Sequence, residues 1–396
     1  MSDSVCQASS LGSASDDTDR TATVTKARAR GPGSRSDGTQ AATIQRVADR
    51  AGVSIATVSR VGADPKSVSD KLRLRVEEAA RALNYRPSRA ARMLRGGASQ
   101  AVGVVIPDLE NPFFTAVVRG IDLVLQAAGY TLLLANSDED AARERNVLQT
   151  LRAEGVAGII FVPLNSAHDA YRDVLAPPLH TVVVDRSPSH LRPDLVTVDN
   201  VEGTRIGVAH LLSLGHRDVA LLGGPSRHST ATERRQGYEQ ALLAAGRPIR
   251  PDIIYHGDFR ERGGYDGMNA LLALPRRPTA VFVANNLMTL GAFRALHEAG
   301  IRIPEEVALV GFDDMPWATS LNPPLTAISQ PSQEIGSSAA DLLLDRIARP
   351  DRAIRHLILE TKLVVRASCG ASLLKARPKG RSRHAREQEV GSACGG

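Results

Sequence analysis

Residues 101–136, AVGVVIPDLENPFFTAVVRGIDLVLQAAGYTLLLAN, decide the fold. AVGVVIP (101–107) is short, β-branched and apolar throughout, the composition of a strand buried on both faces. Segment 113–128 carries its apolar residues at helical spacing, and TLLLAN (131–136) is a second apolar run. Strand, helix, strand is the unit of a parallel sheet, because parallel neighbours need a long crossover between them. The texture repeats downstream in GIIFVP (158–163), TVVVD (181–185), LVTVD (195–199), VALLGGP (219–225), IIYHGD (253–258), AVFVAN (280–285) and VALVGFDD (307–314). Helical segments such as 204–214, 234–245 and 287–299 lie between them. The reading is an α/β fold of parallel sheets covered by helices. Residues 99–370 exceed one such unit, so two lobes are expected, with a ligand cleft at the carboxyl ends of their strands.

Upstream, residues 41–85 read as a separate all-α module of three short helices. In the first, Thr43 is placed to cap, and Ile44, Val47, Ala48 and Ala51 form one apolar stripe that ends at Gly52. Ser54 is placed to cap the second helix, where Ile55, Ala56, Ser59 and Arg60 share one face and Val58 and Val61 the other. Ser69 and Asp70 supply an oxygen acceptor and negative charge at the start of the third, whose buried stripe is Leu72, Val76, Ala79 and Leu83. Helix, glycine turn, helix and a supporting helix make the helix-turn-helix plan.

Charge separates the same pieces. The net +6 of the 396 residues conceals zero over residues 1–40, +7 over 41–97, −5 over 98–370 and +4 over 371–396. A basic module beside an acidic body points to a polyanionic partner, nucleic acid first, although charge alone does not exclude a solvated surface. Segment 1–40, rich in Ser, Thr, Ala, Gly and Asp, and the basic tail 371–396 lack apolar periodicity and read as disordered. The tail has no leucine heptad to drive tetramerisation. There is no long apolar run and no basic-then-apolar leader, so neither membrane spanning nor secretion is expected, and the protein is placed in the cytoplasm, on the nucleoid. Cys6, Cys369 and Cys394 show no C-x-x-C spacing, which fits neither a disulfide framework nor a zinc site.

From residue 43 to 368 the chain resembles the LacI family of bacterial transcription regulators. TIQRVADRAGVSIATVSRV (43–61), VSDKLRLRV (68–76) and LNYRPSRAARMLR (83–95) match the DNA-binding and hinge signature in order. VGVVIPDLENPFF (102–114), LANSDED (134–140), VDR (184–186), GHRDVALLGGP (215–225), ERRQGYEQAL (233–242), VANNLMTLGAFRAL (283–296), VALVGFDD (307–314) and PPLTAISQP (323–331) match the effector module. The resemblance implies a helix-turn-helix, a hinge helix within 86–98, and an effector domain similar to periplasmic sugar-binding proteins. Its chain would cross between lobes near Asp199–Asn200, Ser329–Gln330 and Pro350–Arg355. A homodimer on a pseudo-palindromic double-stranded operator is implied, with a small-molecule effector, a carbohydrate, in the cleft.

The resemblance also assigns residues. Ile55, Ala56 and Arg60 occupy base-reading positions, where Arg60 can donate two hydrogen bonds to guanine and the apolar pair can meet a thymine methyl. Thr43 and Ser54 would bind phosphate, and Thr57 a phosphate or a base edge. The small Ala90 and Ala91 lie on the hinge helix, and Leu94 matches the leucine that wedges open a minor-groove base step. In the cleft, Asp138, Arg186, Arg234, Asn285 and Asp313 are the polar candidates, with Phe259 for stacking and Phe114 for the wall. Two departures stand out. Gly62-Ala63-Asp64 replaces the usual Leu-Asn-Gly, which would end the recognition helix early. Asn286 stands where the family commonly has Asp, and an amide both donates and accepts.

The competing classes lack their signatures. An exported transport protein would need a signal peptide. For an enzyme, Gly223–Pro225 is followed by no Gly-Lys-Ser/Thr, no Gly-x-Ser-x-Gly turn occurs, and the ten histidines, read mostly as surface or capping residues, show no metal spacing. No catalytic residue, cofactor or metal is expected.

Overall fold

The structure is a computed structural model that describes residues 43–63, 67–85, 99–164, 171, 175–176, 179–188 and 192–371. The chain divides into two compact units after Pro87.

The first unit holds helices α1 (Ile44–Ala51), α2 (Ile55–Ala63) and α3 (Asp70–Ala82). Thr43 Oγ1 accepts from the Arg46 amide at 3.4 Å, and Ser54 Oγ from the Thr57 amide at 3.2 Å. Gly52 closes α1 in the left-handed region (φ 62°), and a Cβ there would lie 2.8 Å from Arg75 Nη2, so glycine serves both the turn and the approach of α3. Val47, Ala48, Ala51, Val58, Val61, Val76 and Ala79 form the core, while Ile44, Leu72 and Leu83 are only half-buried. Two local expectations fail. Ser69 makes no side-chain cap; its carbonyl receives the Leu72 and Arg73 amides, and Asp70 instead pairs with Arg73 at 3.0 Å. Helix α2 runs through Gly62 to Ala63, because Gly62 does not take the positive φ with which glycine ends a helix.

The second unit contains two six-stranded sheets. Strands β1 (Ala101–Ile106), β2 (Thr131–Asn136), β3 (Gly158–Phe161), β4 (His180–Val184) and β5 (Asp194–Val198) build the N-lobe sheet with β11 (His356–Leu359). Strands β6 (Val219–Gly223), β7 (Ile254–His256), β8 (Ala280–Val283), β9 (Ala308–Phe312) and β10 (Thr326–Ser329) build the C-lobe sheet with β12 (Lys362–Val364). The orders β11-β5-β4-β3-β1-β2 and β12-β10-β9-β8-β6-β7 repeat one another. All pairings are parallel except β10 with β12. Helices α4 (Pro112–Ala127) and α5 (Ala141–Ala153) follow β1 and β2; α6 (Asn200–Ser213) follows β5; α7 (Ser229–Ala244), α8 (Glu261–Leu272) and α9 (Asn286–Glu298) follow β6, β7 and β8. Strands β1, β3, β6, β8 and β9 are buried along their whole length, which is why their sequences are continuously apolar.

The last helix, α10 (Ser332–Ala348), returns to the N-lobe and packs on α4. The approach is close enough to require glycine: a Cβ on Gly120 would lie 2.1 Å from the Gln333 carbonyl, and one on Gly336 2.0 Å from that of Val117. The third crossing is therefore not at 350–355. Residues 349–355 stay in the N-lobe, tied to buried Asp194, which receives Arg346 Nε (2.9 Å), Arg352 Nη1 (2.8 Å) and the Arg355 amide (2.9 Å). Strand β11 then pairs with β5, and the chain crosses at Glu360–Thr361. The other two crossings fall at Asp199–Asn200 and at Gln330–Pro331, adjoining the expected sites.

Candidate functional site

The outward face of α2 is exposed. Ile55 is 41% exposed, Ala56 and Arg60 are exposed, and Val58 and Val61 point into the core. Arg60 has no hydrogen bond or ion pair among the described residues, which leaves its guanidinium to solvent. Thr57 is half-buried, its hydroxyl 3.0 Å from that of Ser54. Ala90, Ala91 and Leu94 lie outside the described residues.

The second surface is the cleft between the lobes of the second unit. Six of the seven expected residues, Phe114, Arg186, Arg234, Phe259, Asn285 and Asp313, line it together. Five of them sit at or just beyond a strand end or at the start of a helix, where side chains of an α/β sheet converge, and Arg234 lies in the second turn of α7. Strain marks the same turns. Of six non-glycine residues with positive φ among the described residues, five lie at the ends of β2, β4, β7 and β9: Asp138, Glu139, Asp185, Phe259 and Asp313. Asp138 stands apart at the rim, where it meets Arg260 of the C-lobe at 3.0 Å and Arg143 at 3.7 Å.

The C-lobe wall is held from behind. Arg234 donates through Nε to Asn200 Oδ1 (2.9 Å) and through Nη1 to the Ala284 carbonyl (2.6 Å), and its Cζ lies 3.8 Å from the centroid of the Phe312 ring. Asn285 caps α9 through the Met288 amide (3.0 Å) and donates to the Phe259 carbonyl (2.8 Å). Asp313 accepts from the Asn286 amide (3.3 Å) and from Gln330 Nε2. A Cβ on Gly224 would fall 2.1 Å from the Phe259 ring, so the second glycine of GGP makes room for that ring rather than for a phosphate.

The N-lobe wall pairs with itself. Arg186 bonds Glu139 in bidentate fashion, Nη2 to Oε1 at 2.6 Å and Nη1 to Oε2 at 3.2 Å, with both side chains nearly buried. Burial pushes the Asp185 and Asp313 carboxyls up, opposed by Arg186 and Arg234 for the first and by Arg234 for the second. His228 corrects an expectation. It stands at the N-cap position of α7 but is buried and makes no side-chain cap: it is 2% exposed, neither ring nitrogen has a hydrogen-bond partner among the described residues, and Nε2 lies 3.5 Å from Glu139 Oε2. Burial, then Arg186 and Arg227, push its pKa down to about 2, so the ring is neutral. The walls enclose about 460 Å³ with the open mouth counted.

Glu139, Asp185 and His228 were not singled out from sequence. Glu139 and Asp185 lie inside the quoted blocks LANSDED and VDR, beside residues that were chosen. For His228 no local pattern marked burial. Among the described residues no helix is long and apolar enough to cross a membrane, and no cluster of three His, Cys, Asp or Glu could hold a metal.

Comparison with known proteins agrees with this architecture. The family description "Bacterial regulatory proteins, lacI family" matches residues 43–88, and "Periplasmic binding protein-like domain" matches residues 208–369. The ribose operon repressor of Escherichia coli (strain K12) is 35% identical over 329 residues, 83% of this chain and 99% of that protein. The structure of the Lac repressor dimer bound to operator and the anti-inducer ONPF aligns with a TM-score of 0.74 at 30% identity, over 83% of this chain and 99% of that one. A LacI family transcriptional regulator from Enterococcus faecium with bound ribose aligns with a TM-score of 0.62 at 32% identity, over 68% of this chain and 98% of that one. With a helix-turn-helix unit and a two-lobed effector domain in one chain, and relatives matched over nearly their whole length, the protein belongs to the lacI family of bacterial DNA-binding transcription regulators.

Proposed function

We propose that the chain is a homodimeric cytoplasmic repressor, without catalytic activity, whose hold on a pseudo-palindromic operator changes when a neutral sugar enters the interlobe cleft. The observation that carries the ligand class is the wall chemistry. Carboxylates Glu139, Asp185 and Asp313 and guanidiniums Arg186, Arg234 and Arg260 line the cleft together with Phe113, Phe114 and Phe259, a combination of groups suited to neighbouring hydroxyls on a ring. Asp108 and Asp258 line the cleft as well, so five carboxylates face three guanidiniums, Arg186, Arg234 and Arg260, and a phosphorylated or carboxylated ligand is disfavoured. The ribose operon repressor and the ribose-bound Enterococcus regulator support the choice of D-ribose as first probe. Phe114, Phe259, Asn285 and, from the rim, Asp138 complete the contact set. In the DNA-binding part, α2 reads the major groove, and 86–98 forms the hinge helix with Ala90, Ala91 and the wedge Leu94. Segments 1–40 and 371–396 flank the working module as polar extensions.

Ligand and DNA are coupled because closure of the lobes alters the spacing of the hinge segments, by no more than the ligand's differential affinity for the two arrangements. Calorimetry with D-ribose, ribose 5-phosphate and glucose tests the ligand class, with binding expected for a neutral sugar and none for the phosphate ester. Folded Asp313→Ala protein should keep operator binding in the absence of sugar and lose the sugar's effect on it. Wild-type sugar affinity in that variant overturns the cleft assignment.

A further inference from the structure

Asn286 sits at the first position of α9, fully buried, and faces two ways. Its backbone N–H holds Asp313 Oδ2 at 3.3 Å, within the C-lobe wall. Its side-chain Nδ2 donates across the cleft to Asn111 Oδ1 at 2.8 Å. Asn111 is the N-cap of the N-lobe helix α4, and the same Oδ1 accepts the Phe113 amide at 3.0 Å. The orientation of both amides is fixed by neighbouring backbone: Phe113 N–H requires oxygen at Asn111, and Leu287 N–H, 2.7 Å from Asn286 Oδ1, turns the Asn286 nitrogen toward the other lobe. The bond therefore has a direction, donor in the C-lobe and acceptor in the N-lobe.

We propose that Asn286 is a positioning residue that clasps the C-lobe carboxylate Asp313 to the N-cap of α4, setting how readily the lobes close. It acts through Asp313 and Asn111 and touches no ligand itself. An Asp at this position would present a carboxylate to an oxygen that cannot turn away without uncapping α4, and the clasp would become a repulsion. An Asp at 111 would do no such harm, since a carboxylate caps a helix and accepts from Asn286 equally well.

That asymmetry gives the test. Asn286→Asp and Asn111→Asp are isosteric, each adds one negative charge, and each places it at a helix N-terminus, so size, charge and helix dipole are matched. Spin labels at Gln149→Cys on α5 and Ala270→Cys on α8, both exposed, report the interlobe distance in full-length protein with Cys6 and Cys394 replaced by Ser. Without any ligand, Asn286→Asp should shift the distance distribution away from wild type, and Asn111→Asp should superimpose on it. Equal behaviour of the two variants, shifted or unshifted, overturns the proposal. A second arm rests on the sugar reading: D-ribose affinity should fall roughly tenfold or more in Asn286→Asp, whereas Asn111, which itself lines the cleft, serves as the control for the distance arm alone. If wild-type protein binds no D-ribose, the sugar reading fails while the distance arm still decides the clasp.

Discussion

The recognition helix and the effector cleft divide labour in opposite ways. In α2, the residues that hold the fold and those we propose for DNA contact are different: Val58 and Val61 are buried, while Ile55, Ala56 and Arg60 face solvent. In the cleft they are the same residues. Arg234 both lines the cleft and bonds Asn200 and the Ala284 carbonyl; Asn285 caps a helix; Asp313 receives Gln330 and the Asn286 amide. A surface reader can vary freely without unfolding its scaffold, whereas a cleft residue is constrained twice.

Three substitutions put that contrast under strain. Arg234→Ala should have the largest effect, roughly 3–5 kcal/mol of lost stability, because it leaves Asp185, Asp313 and Glu233 facing an unneutralised interior. A urea unfolding midpoint near wild type would mean that the cleft tolerates loss of its central cation. His228 comes next. Its folded pKa is far below its ordinary value, so stability is fully present above about pH 6.5 and falls as acid protonates the unfolded chain alone. Between pH 8 and 5 the difference is about 2 kcal/mol, which His228→Asn should remove. Glu139 would oppose this shift at 3.5 Å, but its carboxylate is already engaged by Arg186. Parallel stability–pH curves for the two proteins would show that the folded ring titrates at its ordinary pKa. Arg60→Ala should act on the other side of the contrast, costing roughly 1–3 kcal/mol of preference for cognate over altered operator and leaving thermal stability unchanged. Equal loss on cognate and scrambled DNA would reduce Arg60 to a phosphate contact.

The same contrast explains what could be read in advance. The α2 face follows from helical periodicity within nine residues, so Ile55, Ala56 and Arg60 were legible beside Val58 and Val61. The buried strands were legible because burial on both faces leaves a continuous apolar run. Strands β10, β11 and β12 were not: TAIS is four residues long with two hydroxyls, and HLIL leaves Ile358 66% exposed at a sheet edge, so such short runs look like loops. The third crossing was misplaced for a non-local reason, since the bonds that keep 349–355 in the N-lobe run to Asp194, about 150 residues earlier in the chain. His228 and Glu139 meet across 89 positions, and only the fold joins them.

The interleaving of the two sheets sets a timetable for synthesis. The three-helix unit draws its core entirely from residues before 86 and is complete early on the ribosome. The N-lobe sheet begins at residue 101 but lacks its covering helix α10 and its edge strand β11 until residue 359 has emerged. At bacterial elongation rates that gap is on the order of 10–50 s. For that interval a nascent chain would carry a finished DNA-reading module ahead of an unfinished sensor, and a chain terminated before α10 would leave both lobes incomplete while keeping the module that reads DNA.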